Sequence, residues 1–182
     1  MSEREPRKRI PYTKGLLPAL TDDLAFVKNK CSDNARKETI VIKKITTHIW
    51  FDKHYHDRHL HGDEMGKREG IDPGIVKNLV ERSVEHLIFY SCVIRGFKFI
   101  NHEVINEPPV RIVLQQELNS DMLNVIIEPH YLDLNELEIT VKTAMCTCDF
   151  RIAMGQYVIE LQEDRSILKK RDNNTITEVC SF

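Results

Sequence analysis

Glycine is scarce, at seven positions in 182, so the chain has little material for loops that cradle phosphates. It contains no Walker-type loop, no dinucleotide fingerprint and no G-x-S-x-G elbow. Nucleotide-fuelled chemistry and nucleophile-elbow hydrolysis therefore have no motif to rest on. The H-E-x-x-H zinc signature is also missing. No run of about 18 apolar residues occurs, so a membrane-spanning helix is not expected. The opening "MSEREPRKRIPYTKG" is charged and lacks the apolar stretch of a signal peptide, which makes a cytoplasmic location the expectation. Charge of one sign is lacking too. Lysine and arginine number 26 against 28 acidic residues, a net charge of −2. Any nucleic-acid binding must then come from a local basic patch. Five cysteines, an odd number, are scattered at Cys31, Cys92, Cys146, Cys148 and Cys180. They read most simply as free thiols in a reducing compartment.

The remainder looks like an ordinary soluble globular chain, with 41% apolar and 30% charged residues. Residues 1–38 read as a basic arm followed by one helix in "LLPALTDDLAFVKNKCSD", with Thr21 as its cap. Residues 39–145 read as the core domain. There "ETIVIKKITTHIW" predicts a strand, and a polar helix is expected from about Thr47 to Lys67. "EGIDPGIVKNLVERSV" predicts a second helix capped by Asp72, with Pro73 at its first position. The runs "HLIFYSCVI", "GFKFINHEV", "VRIVLQQEL", "MLNVIIEPHYL" and "LEITVKTAM" then predict strands separated by turns. Residues 146–182 are expected to add a C-terminal hairpin that turns at "QEDR". The expected class is α+β, with N-terminal helices packed on an antiparallel meander.

Four of the eight histidines crowd into "KHYHDRHLHGD": His54, His56, His59 and His61. The blandest reading is a solvated helix surface. A zinc cradle is an alternative, although His-x-His pairs diverge by about 200° on a helix. A third reading is acid–base chemistry on RNA. Imidazoles titrate near neutrality, and arginines stabilise the extra charge on a phosphate in the transition state. His48, His54, His56, Arg58 and Arg68 supply both groups. Further along, Arg95, Lys98 and Arg111 lie near Phe97, Phe99, His130 and Tyr131, a mixture able to hold phosphates and stack bases. For Phe97 and Phe99 themselves, core packing is the stronger expectation.

Residues 39–145 resemble small bacterial toxin-like domains of the barnase–EndoU–colicin–RelE group of ribonuclease folds. The resemblance is carried by "TTH" (Thr47, His48), "HYHDR" (His54, Arg58), "REGID" (Arg68, Gly70, Ile71) and the strand "LEITVKTAM". It implies a metal-independent endoribonuclease without a cofactor. His48 or His54 would be the acid–base group, Arg58 and Arg68 the phosphate clamp, and Thr140 a group near the scissile bond. His56, Arg95, Lys98 and Arg111 would contact RNA, and a neutralising antitoxin protein would be a partner. The position four after His48 is Asp52 where the pattern has Arg, and "HLHGDEMGK" lengthens the first helical region. Two other classes stay open: a non-enzymatic phage or mobile-element interaction protein, and a zinc-dependent hydrolase built on the histidine cluster.

Overall fold

The computed structural model describes residues 26–42, 44–61, 70–102 and 108–182; within the first helix the side chains of residues 54, 58, 60 and 61 lie outside the description. Among the described residues the elements run β1 (Ala35–Ile42), β2 (Ile45–Asp52), α1 (Lys53–His61), α2 (Pro73–Val93), β3 (Ile112–Leu118), β4 (Asp121–Asp133), β5 (Glu136–Cys146), β6 (Tyr157–Gln162), β7 (Arg165–Asp172) and β8 (Thr175–Ser181). The strands form one eight-stranded sheet in the order β1-β2-β5-β4-β3-β6-β7-β8. Most neighbours are antiparallel, but β2 runs parallel to β5 and β3 runs parallel to β6. Both parallel joins need long connections. Helices α1 and α2 lie within the first of them, and the β4–β5 ribbon lies within the second.

Alternation along the strands divides the sheet into two unlike faces. In β2, Ile49 and Phe51 point one way and His48, Trp50 and Asp52 the other. In β5, Leu137, Ile139 and Val141 oppose Glu136, Glu138, Thr140 and Lys142. The apolar face is packed by α2 through Val76, Leu79, Val80, Val84, Leu87 and Tyr90. This is a helical-period stripe, and each fully buried aliphatic side chain in it contributes roughly 1.5–3 kcal/mol. Asp72 caps the helix as expected: its carboxylate accepts the amides of Gly74 at 2.8 Å and Ile75 at 3.3 Å, and Pro73 follows at the start. Polar ties fix α2 toward both ends of the sheet order. Lys77 pairs with Glu38 of β1 at 2.8 Å, and the Tyr90 hydroxyl donates to the Ser166 carbonyl of β7 at 2.9 Å.

The expectation of N-terminal helices on an antiparallel meander is corrected to one mixed sheet with a single long helix on its apolar face. Three local readings account for the difference. Of the expected basic arm and helix, residues 1–25 with Thr21 lie outside the described residues, and residues 26–34 are a strap that folds back on itself, not a helix. Val27 bridges Ala35, and the Asn29 side chain takes the Cys31 and Ser32 amides that a helix would need. "ETIVIKKITTHIW" is a hairpin rather than one strand, and the helix expected from Thr47 begins only at Lys53 because 45–52 alternate as β2. "HLIFYSCV" belongs to α2. Leu87 and Tyr90 extend its buried stripe, and that packing overrides the strand preference of its aromatic and branched residues. After α2, Phe97 and Phe99 are buried in the core from an irregular loop. The residues read as a C-terminal extension supply β6–β8 to the same sheet, and Ile159, Leu161 and Leu168 join the same core.

Candidate active site

The second face of the sheet is unusually rich in titratable groups. Cross-strand register sets them in rows, because directly paired residues project to the same side. His48 of β2 pairs with Glu138 of β5, and Glu138 pairs with His130 of β4. Two imidazoles therefore flank one carboxylate, with their Cα atoms roughly 10 Å apart across two strand spacings. The neighbouring row is Trp50, Thr140 and Glu128. Arg111, just before β3, reaches the same carboxylate: its Nε donates to Glu128 Oε2 at 2.9 Å.

Each imidazole is held by a carboxylate. His130 Nε2 lies 3.2 Å from Glu128 Oε1. His48 Nε2 lies 2.5 Å from Glu136 Oε1, and its Nδ1 lies 3.0 Å from the Thr39 hydroxyl. The Glu128 side chain is 4% exposed. Burial pushes its carboxyl up, but hydrogen bonds from His130 and Arg111 together outweigh burial and hold it below the ordinary value. Lys142 pairs with Asp52 at 3.0 Å on the same face.

The strap 26–34 lies over these rows and bonds Thr140, Glu138 and Lys142, while the buried Trp50 Nε1 has no hydrogen-bond partner. The Asn29 amide donates to Thr140 Oγ1 at 2.6 Å, and the Lys30 backbone N–H donates to Glu138 Oε1 at 2.9 Å. Lys142 Nζ donates to the Cys31 carbonyl at 3.2 Å. Burial pushes the Cys31 thiol up to about 12, against a hydrogen bond from Thr140 that draws it down.

Of the residues singled out from sequence, His48 and Thr140 lie on this polar face and Arg111 reaches it through Glu128. His54 and Arg58 lie in α1, with side chains outside the description, and Arg68 lies outside the described residues. His56 sits among aromatic rings, 5.4 Å from Phe26 and 5.7 Å from Tyr55 by ring centroids. Arg95 and Lys98 are exposed on the loop whose Phe97 and Phe99 enter the apolar core. Within the histidine-rich helix no set of metal ligands forms among the described residues. The group with metal-ligand spacing is elsewhere: Cys31, Glu128 and His130.

Glu128, Glu138 and Lys142 were not among the residues singled out, and His130 was noted only as a later-strand neighbour. The signal for them is the period-two spacing of "EPH" (Glu128, His130) and "ELEITVK" (Glu136, Glu138, Thr140, Lys142). It places all six on one face once both segments are taken as paired strands. No protein family model, curated protein or solved structure matches this chain, so the resemblance to toxin-type ribonucleases rests on its own residues.

Proposed function

We propose that this chain is a metal-independent endoribonuclease working from the polar sheet face, with His130 in place of the helical histidine as its central group. The supporting observation is the row His48–Glu138–His130 beside the Arg111–Glu128 pair. RNA cleavage of this kind needs a base for the 2′-hydroxyl proton, an acid for the leaving 5′-oxygen, and fixed positive charge at the phosphate. His130 takes the 2′-proton, with Glu128 orienting its ring. The 2′-oxygen then attacks phosphorus, and the P–O5′ bond breaks. His48, whose ring is oriented by Glu136, supplies the proton to the departing oxygen. Arg111 faces the extra negative charge, and Thr140 lines the row. For RNA to enter, the Asn29–Cys31 part of the strap moves off Thr140 and Glu138. Five cysteines without a disulfide fit a cytoplasmic setting. A toxin-type enzyme further implies growth arrest on expression, relieved by a neutralising protein.

The test is incubation of the purified chain with single-stranded RNA in chelator. Cleavage is expected, and His130→Ala is expected to lower its rate by about 10²–10⁴-fold. A folded sample that leaves RNA intact overturns this reading and makes the polar face a binding surface.

A further inference from the structure

We infer that Cys31, Glu128 and His130 form a zinc-class metal site, through which the strap is locked over the polar face. The three side chains offer one sulfur, one carboxylate oxygen and one ring nitrogen, all within 4.8 Å of one another. Zinc accepts this mixture, with bonds of about 2.0–2.3 Å, so only a modest inward shift closes the set around an ion. The ligands come from two separate places, the strap and β4, and the fold brings them together. The surroundings match those of a ligated ion. Arg111 occupies Glu128 Oε2 and leaves Oε1 on the His130 side. The Thr140 hydroxyl serves the Cys31 sulfur. Such outer contacts orient the ligands of a metal and tune their basicity. A thiolate and a carboxylate together neutralise a divalent ion. With three protein ligands, a fourth position is left for water.

On binding, the Cys31 thiol loses its proton to solvent. The His130–Glu128 hydrogen bond gives way to two metal–ligand bonds, so the ring needs its proton on the nitrogen that does not face the metal. The site needs a thiolate and a neutral imidazole as ligands, so affinity falls as pH is lowered. The consequence for activity rests on the ribonuclease reading: a metal on His130 removes the lone pair the base needs and pins the strap shut. Zinc is then an inhibitor, the reverse of its role in a zinc hydrolase.

The experiment is a titration of the chelator-treated full chain with cobalt(II), a spectroscopic stand-in for zinc. A thiolate-to-cobalt charge-transfer band is expected, saturating at one equivalent and abolished by added zinc. Cys31→Ser is expected to remove the band, while the double variant Cys146→Ser/Cys148→Ser keeps it. Glu128→Gln is expected to weaken cobalt binding by at least about 10-fold. Circular dichroism of each variant confirms that it is folded. A band that never appears, or that survives Cys31→Ser, overturns the site. In the cleavage assay, Cys31→Ser is expected to match the parent chain in chelator and to resist zinc, whereas the parent is inhibited. Cleavage that rises with zinc overturns the inhibitory role. If no RNA is cleaved at all, the ribonuclease reading fails, and the cobalt band still decides the metal site.

Discussion

The two faces of this sheet are made by the same strands yet obey different rules. On the apolar face, Ile49, Ile127, Ile139 and Val141 are fully buried against α2, and their energy comes from removing hydrocarbon from water. On the opposite face, Glu128, Glu138, His48 and Thr140 are also buried, but each is matched to a named partner. A buried charge is costly unless paired, and pairing with good geometry roughly offsets that cost. The polar face thus adds little net stability for the order it demands. Such an arrangement is more easily understood as a site than as a scaffold.

That contrast makes distinct predictions for each face. The largest expected effect is on activity: His130→Ala should remove nearly all cleavage while the chain still folds, at some cost in stability because the buried Glu128 loses one partner. A parallel loss of cleavage and fold would erase the difference between the faces. Next is the apolar side, where Leu79→Ala should cost about 2–5 kcal/mol of stability in urea unfolding. Its folded fraction should still cleave RNA at the parental rate. Smaller is Gly70→Ala, which tests how the chain returns from α1 to α2. A Cβ there collides with the backbone of His59, and Tyr55 donates a hydrogen bond to the adjoining Ile71 carbonyl at 2.6 Å. A loss of roughly 1–3 kcal/mol is expected, visible as a lowered melting temperature.

The smallest predicted effect is a pH dependence on the polar face. The Glu128 carboxyl titrates below its ordinary 4.5 in the folded chain. A depressed folded value means that the unfolded chain binds the proton more readily. The stability contributed by Glu128 is therefore present above 4.5 and lost as pH falls through the lower folded value. Glu128→Gln should flatten the acid limb of a stability-versus-pH curve. An unchanged limb would show that the carboxylate is not stabilised there.

The parts of the fold that could be read in the sequence are those governed by local chemistry. Asp72–Pro73 announces the start of α2, and alternation in "VRIVLQQEL", "MLNVIIEPHYL" and "LEITVKTAM" marks three strands that do form. The parallel β2–β5 and β3–β6 joins were hidden, because they depend on which distant segments meet. The strap was hidden as well. Leu24, Phe26 and Val27 imitate a helical stripe, while the deciding contacts, from Asn29 to Thr140 and from Lys30 to Glu138, span more than a hundred residues. The candidate site is hidden for the same reason: the dense histidine cluster is contiguous in one segment, whereas His48, Glu138 and His130 sit on three strands and come together only through register.

The central claim is that chemistry resides on the polar face and stability on the apolar one. The most direct test compares RNA cleavage in chelator by the parent, His130→Ala and Leu79→Ala chains, each normalised to its folded fraction. A rate collapse for His130→Ala alone is predicted. Equal normalised rates for all three chains would contradict the claim.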